Sequence, residues 1–110
     1  MEQSLFVYGT LAPGRPNEHV LSHISGTWQP ASVTGQLVQG GWGAEMGYPG
    51  IFLTADGQKV EGFLFSSEHL DQYWPYLDEF EGEGYERVLT KVTTQSGQKI
   101  NAYIYQLIMN

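Results

Sequence analysis

Glycine is the residue type that most constrains how this chain can fold. Fourteen glycines are spread over 110 residues, and they fall between short apolar runs. Short apolar runs bounded by turn residues are typical of β-strands joined by turns. About six such runs, with two brief helical segments, predict an α+β domain with a mostly antiparallel sheet. Closure into a small barrel would remove the sheet edges, although the pattern alone also allows an open sheet.

The apolar pattern places most elements. Strands are predicted over residues 4–8 and 32–39, with a short helix over residues 15–24 between them. The segment 50–65 predicts a hairpin that turns at Asp56-Gly57. A second antiparallel hairpin is predicted over the last two strands, residues 85–94 and 98–107, which flank Ser96-Gly97.

A helix is predicted between these hairpins. Ser67 is the expected N-cap, and Glu68 in the first turn would complement the helix dipole. Pro75 lacks an N–H and disfavours helical geometry in Trp74, so we expect it to break or restart the helix. Glycines at 82 and 84 are expected to end the helical pattern.

Composition predicts a single domain over residues 1–110 that folds without a disulfide or a metal. The chain has no cysteine, which excludes a thiolate nucleophile and a zinc–thiolate site and suits a reducing cytoplasm. We see no signal peptide and no apolar run long enough for a transmembrane helix, so no membrane partner is expected. Five basic residues against twelve acidic ones give a net charge of −7, and the basic residues are scattered. No nucleic-acid partner is therefore expected either.

The histidines are the first candidates for chemistry. His19 and His23 have the spacing of a helical metal pair, but no third ligand follows and the HExxH pattern is not met. We therefore expect surface histidines and no metal site. A serine nucleophile is not supported either, because the chain has no G-x-S-x-G elbow.

The acidic stretch LDEFEGEGY, residues 77–85, is the stronger candidate. It holds Asp78, Glu79, Glu81 and Glu83. A solvated helix end is the simplest interpretation, since carboxylates are rarely buried. Acids near a helix C-terminus oppose its dipole, however, and Phe80 beside Glu81 suits close packing. One carboxylate could therefore be desolvated with a raised pKa, as a general base requires, but spacing does not say which.

Four segments together resemble the gamma-glutamylcyclotransferase-like family. In order, they are FVYGTLAPGRPNEHVL, GYPGIF, VEGFLF and LDEFEGEGYERV. The likeness runs from Phe6 to about Tyr105 and is closest to small gamma-glutamylamine cyclotransferase-like members. The most specific signals are Y-G-T-L followed by G-x-P-N, and D-x-F-E before a Y-x-R strand.

This resemblance implies a small mixed β-barrel and the cyclisation of a gamma-glutamyl amine or amide to 5-oxoproline and a free amine. It implies that Glu81 is the catalytic general base and acid. It implies that the substrate is held by Tyr8, Gly9, Thr10, Leu11 and Tyr85. The partner would be a small gamma-glutamyl molecule, and this intramolecular reaction would require no cofactor.

Two alternatives from other classes remain at this point. The barrel could be a non-catalytic module that binds a small acidic metabolite. It could also be purely structural, with the acidic stretch as ordinary surface. A carboxylate at Glu81 favours catalysis, because a site that only binds a carboxylate gains nothing from an acid.

Overall fold

The computed structural model describes residues 2–8, 19–22, 24–38, 50–82 and 84–107, and within helices and strands it leaves the side chains of residues 19, 20, 37, 38 and 81 undescribed. The elements, in chain order, are β1 (Gln3–Val7), α1 (His19–Ser22), β2 (Thr27–Val38), β3 (Gly50–Leu53), β4 (Gln58–Ser67), α2 (Leu70–Glu81), β5 (Tyr85–Thr94) and β6 (Lys99–Leu107).

Five of the strands form a closed ring. The sheet order is β3-β2-β4-β1-β6-β5, and β5 pairs back onto β2 through Ala31↔Thr94 and Ser32↔Thr93. The strand β3 lies outside this ring and pairs with β2. The β1–β6 pair is parallel, with Leu5 opposite Tyr103, while the other pairs are antiparallel. The expected mixed, mostly antiparallel barrel is therefore confirmed.

Apolar side chains fill the inside of the barrel. They alternate with outward residues along each strand, as the pleat requires. The buried members of this inner cluster are Phe6, Ala31, Val33, Ile51, Val60, Leu64, Val92, Ala102 and Ile104.

A second cluster lies between the outer face of the barrel and α2. The helix contributes Leu70, Trp74 and Leu77, which recur at helical spacing and are buried. The barrel contributes outward residues of β1, β4 and β6, including Leu5 and Phe65. Burial of this apolar row fixes the helix on the barrel, since each large apolar side chain buried contributes about 1.5–3 kcal/mol.

The predicted hairpin over residues 50–65 is wrong. Both β3 and β4 pair with β2, one on each side, so they are not neighbours in the sheet. The connection between them passes across β2 at Gly35. A Cβ on Gly57 would lie 2.4 Å from the carbonyl oxygen of Gly35, so the crossing depends on two residues without side chains.

The helix α2 continues through Pro75, so the predicted break is wrong as well. Proline inside a helix costs about 3 kcal/mol, and the buried row of Leu70, Trp74 and Leu77 offsets that cost.

The predicted Ser67 N-cap is also wrong, because the N-cap is His69, without a side-chain cap. The Ser67 hydroxyl instead accepts the His69 N–H and donates to the Ser25 carbonyl.

The hairpin over the last two strands is confirmed. The strands β5 and β6 pair antiparallel around a turn in which Gly97 has φ 89°. The strand β2 departs from prediction at its start, because it begins at Thr27. The helix α1 covers His19–Ser22 of the predicted 15–24, and residues 15–18 and 23 lie outside the described residues. No helix in the described segments combines the length and the apolar character that crossing a bilayer demands.

Candidate functional site

The last turn of α2 carries the acidic stretch, and Gly82 ends it. Gly82 has φ 84°, and its N–H donates to the Asp78 carbonyl at 3.1 Å. A residue with a side chain adopts this φ only at a cost, which explains glycine here. Glu81 is the last helical residue, and the chain reaches β5 at Tyr85.

Asp78 connects this turn to the barrel. Its Oδ1 accepts a hydrogen bond from the Tyr105 hydroxyl at 2.7 Å and lies 3.5 Å from Nη1 of Arg87. Arg87 on β5 and Tyr105 on β6 are opposite each other in the antiparallel register. One carboxylate of the helix therefore binds both members of a cross-strand pair.

The Arg87 guanidinium lies against two aromatic rings. Its central carbon is 4.4 Å from the Trp74 ring centroid and 5.5 Å from that of Tyr103. The two rings meet edge to face at 5.0 Å. Nη1 is buried and has no hydrogen-bond partner among the described residues, so the 3.5 Å approach to Asp78 is an ion pair without hydrogen-bond geometry.

Tyr8 reaches the same region from β1. Its ring packs against the inner cluster beside Phe6, with the centroids 6.3 Å apart. Its hydroxyl donates to the Tyr105 carbonyl at 2.7 Å. Tyr105 is thus bonded to the end of β1 through its backbone and to α2 through its side chain.

An open depression of about 550 Å³ lies at the end of α2. Its lining residues are Asp78, Glu79, Gly82, Tyr85, Glu86, Arg87 and Tyr105. Depressions of about 770 Å³ and 690 Å³ elsewhere on the barrel lie around the β3–β4 connection and the Pro30–Thr94 end. We take the depression of about 550 Å³ as the candidate site, because it alone of these three adjoins the acidic turn.

The predicted site residues divide into two groups. Tyr8 and Tyr85 are in the described part of the chain. Tyr85 lines the depression at the end of α2, and Tyr8 donates a hydrogen bond to Tyr105, which also lines it. The position of Glu81 continues the helical row of Leu70, Trp74 and Leu77, at spacings of four, three and four, but its side chain lies outside the described part.

The remaining predicted substrate-binding residues, Gly9, Thr10 and Leu11, also lie outside the described residues. So do His23 and the side chain of His19. The described residues contain no group of three potential metal ligands.

Phe80 does not take the packed position that the sequence suggested. It is 39% exposed, and Tyr76, one turn earlier, is 47% exposed. These two residues lie on the outer side of α2, away from the buried row, so Phe80 does not shield the acidic turn from water. The buried aromatic nearest in the helix is Trp74.

The sequence analysis missed Asp78, Arg87 and Tyr105 as a connected group. Asp78 was one of four equivalent acids in the pattern, and Tyr105 counted only as a strand residue. One signal was available: Arg87 is the first basic residue after Lys59 and directly follows the most acidic stretch. A single cation beside several acids favours an ion pair.

The structure is a small barrel with one longer helix packed across it, and the acidic end of that helix borders an open depression. This arrangement defines a gamma-glutamyl cyclotransferase fold. YkqA from Bacillus subtilis superposes with a TM-score of 0.75 at 26% identity, covering 100% of this chain and 37% of YkqA. An AIG2-like protein from Mus musculus gives a TM-score of 0.75 at 24% identity, covering 99% and 79% respectively. The family model of gamma-glutamyl cyclotransferase, AIG2-like proteins matches residues 5–110, and the chain belongs to this family.

A curated relative has a stated activity. It is the gamma-L-glutamyl-butirosin B gamma-glutamyl cyclotransferase of Niallia circulans, 31% identical over 108 residues, with 93% of this chain and 66% of the relative covered. The chain therefore spans just under two thirds of that relative, and 37% of YkqA.

Proposed function

We propose that this protein is a cyclotransferase that converts a gamma-glutamyl amine or amide to 5-oxoproline and a free amine. Membership of the family supports the reaction class, and the Niallia circulans relative is named for an activity on a gamma-glutamyl group. The observation that carries the proposal is the last turn of α2: Asp78 anchors this turn to the barrel beside an open depression, and Glu81 is its final residue.

The reaction is intramolecular. The α-amine of the gamma-glutamyl group attacks the γ-carbonyl carbon, a new C–N bond closes a five-membered ring, and the bond to the leaving amine breaks. Because nucleophile and electrophile belong to one molecule, the protein needs mainly to fold the substrate into the reactive geometry. Such orientation is worth about 7–11 kcal/mol. No oxidant, reductant or metal is needed for this balance of atoms and electrons.

Proton transfer is the remaining difficulty. The α-amine arrives as an ammonium and is not nucleophilic until it loses a proton, while the leaving nitrogen must gain one. In our proposal the Glu81 carboxylate takes the first proton and returns it to the leaving nitrogen. The second proton, which the attacking nitrogen loses as the ring closes, passes through the same carboxylate to the free amine, which leaves as an ammonium. A single carboxylate can perform both transfers because they occur one after the other.

The segment that follows β1 would hold the substrate. Tyr8 directly follows β1, and Gly9, Thr10 and Leu11 come next in the chain. We propose that their backbone N–H groups bind the α-carboxylate of the substrate, since successive amides form concavities suited to anions. Tyr85, which lines the depression, would contact the substrate from the other side. A reducing cytoplasm is the compartment we propose, on the absence of cysteine.

Substitution of Glu81 by Gln tests the assignment. Gln has nearly the same size but cannot accept the ammonium proton, so we expect the rate of product release to fall by about 10³–10⁴, the upper part of the usual acid–base contribution. The assay measures 5-oxoproline released from gamma-glutamyl amides of an alkylamine, a diamine and an α-amino acid. Thermal melting of the variant confirms that it is folded.

Glu79→Gln and Glu83→Gln are the matched controls, because they make the same change two residues away on either side. Both should keep rates near that of the wild type; Glu79 lines the depression, but it is exposed to solvent and has no proposed role in proton transfer. If either control loses activity while Glu81→Gln retains it, the assignment to Glu81 is wrong. If the wild type releases no 5-oxoproline from any of the amides, the proposed reaction is wrong and a binding module takes its place.

A further inference from the structure

Tyr105 makes hydrogen bonds to two segments that are far apart in the chain. Its carbonyl accepts from the Tyr8 hydroxyl, and its own hydroxyl donates to Oδ1 of Asp78, both at 2.7 Å. The residue is 4% exposed, so its ring is held by packing on the outer face of the barrel. Both hydrogen bonds are partly buried and short, and the one to the Asp78 carboxylate is of the charge-assisted kind, which is stronger than a neutral hydrogen bond.

The two segments are the ones that carry the proposed site. Tyr8 directly precedes residues 9–11, the proposed substrate-binding segment. Asp78 begins the last turn of α2, and its carbonyl accepts the Gly82 N–H that closes this turn around Glu81. Asp78 is therefore fixed at its backbone to the end of the helix and at its side chain to β6.

The strand arrangement explains why one residue can reach both. The parallel β1–β6 pair places Leu5 opposite Tyr103, so Tyr105 lies two residues further along, level with the end of β1. The alternation of β6 turns the Tyr105 side chain outward, toward α2. Its carbonyl remains at the barrel wall, where the Tyr8 hydroxyl meets it.

We propose that Tyr105 is a positioning residue that holds the last turn of α2, and with it Glu81, in register with the end of β1. We call the two hydrogen bonds of Tyr105, to Tyr8 and to Asp78, the tie. The effect of the tie on catalysis rests on the proposed function, but its existence is a property of the folded chain alone. Arg87 supports Asp78 from the opposite side, at 3.5 Å.

Tyr105→Phe is the appropriate change, because it removes the hydroxyl and keeps both the ring and the carbonyl that Tyr8 uses. The first measurement is amide hydrogen exchange at Gly82, monitored by NMR in the absence of any ligand. We expect exchange to be at least about tenfold faster, since loss of the tie lets the last turn open locally.

The second measurement is steady-state kinetics on the same panel of amides, which separates kcat from KM. Displacing a catalytic group by 1 Å can cost about 10²-fold in rate, so we expect kcat to fall by about 10- to 100-fold. KM should change little, because the Tyr8 hydroxyl keeps its acceptor, the Tyr105 carbonyl, and the strand before Tyr8 is unaltered.

Tyr103→Phe is the matched control. Tyr103 precedes Tyr105 by two residues on the same strand face and packs on Trp74, but its hydroxyl makes no hydrogen bond to any described residue. We expect neither measurement to change. Two substitutions of Asp78 test the same hydrogen bond from the other side. Asp78→Asn keeps an oxygen that accepts the hydrogen bond from the Tyr105 hydroxyl, so its effect on both measurements should be smaller than that of Asp78→Ala.

The outcomes separate the two proposals. Unchanged exchange at Gly82 in Tyr105→Phe overturns the tie, whatever the activity. Faster exchange with an unchanged kcat shows that the tie exists but does not position the catalytic group, which overturns the inference. A wild type that releases no 5-oxoproline refutes the proposed function, and the exchange result then decides alone whether Tyr105 holds the turn.

Discussion

Arg87 makes contacts that allow the cost of its removal to be worked out. Its guanidinium lies 4.4 Å from the Trp74 ring centroid and 5.5 Å from that of Tyr103, and its Nη1 is 3.5 Å from Asp78. The Asp78 side chain is 46% exposed, so solvent weakens the ion pair. The ring contacts are therefore expected to contribute more than the charge pair.

A cation against the Trp74 ring, partly shielded from water, contributes about 1 kcal/mol, and the longer contact to Tyr103 about half of that. A half-exposed ion pair adds about 0.2–1 kcal/mol. Substitution by Met keeps the apolar stem. It also removes the buried Nη1 that lacks a hydrogen-bond partner, and this removal raises the free energy of unfolding by about 1 kcal/mol. The net loss for Arg87→Met is then about 1 kcal/mol, and for Arg87→Ala, which also loses the stem, about 2–3 kcal/mol.

Thermal melting and urea unfolding measure these differences. For a domain of this size, about 1 kcal/mol corresponds to a shift of about 4–8 °C in Tm. Arg87→Lys keeps the charge and loses the planar group, so it should fall between the wild type and Arg87→Ala. Lys91→Met, at an exposed position of the same strand, is the control and should change little. An Arg87→Ala variant as stable as the wild type would refute the energetic argument.

Two further predictions concern the fold. Pro75→Ala should stabilise the protein by about 1–3 kcal/mol, because it restores an N–H that can donate to the Asp71 carbonyl inside α2; a lower Tm would contradict this. Gly57→Ala should destabilise it by about 1–3 kcal/mol, because the added Cβ meets the backbone of Gly35 within 2.4 Å. The exposed neighbour Asp56→Ala should stay within about 0.5 kcal/mol of the wild type by urea unfolding.

The strands could be predicted from the sequence more readily than their partners. The alternation of Val88, Thr90 and Val92 in one strand and of Ala102 and Ile104 in the other predicts both strands and the face that each buries, because a two-residue period fixes which side chains share a face. The hairpin predicted around Asp56 and Gly57 failed because a turn dipeptide shows where the chain bends and not which strand it then meets. The strand β2 is 12 residues long and pairs on both sides, a fact that no local pattern contains.

The helix shows the same limit for local rules. The Pro75 rule is sound as a preference, but it applies to a helix without tertiary contacts. Here Leu70, Trp74 and Leu77 are buried on both sides of the proline, and their burial outweighs one missing hydrogen bond. The prediction that glycine would end the helix is confirmed at Gly82, because a positive φ is a local requirement that tertiary contacts do not replace.

Of the candidate site, the sequence could indicate the acidic turn but not its neighbours. Tyr105 is 27 residues from Asp78 and 97 residues from Tyr8 along the chain, and only barrel closure brings the three together. Spacing arguments work within one helix or one strand. A group assembled from β1, α2 and β6 therefore has no signature in any short window of the sequence.

The sequence nevertheless contains a pattern that locates the helix on the barrel. Three strand segments, LFV, FLF and AYIY, are apolar on both faces instead of alternating. They belong to β1, β4 and β6, which are adjacent in the order β4-β1-β6. A strand that is apolar on both faces must be covered on both, and α2 packs on the outer residues of these three strands. The end of α2 is thereby placed beside β1 and β6, so the position of the site follows from which strands lack a polar face.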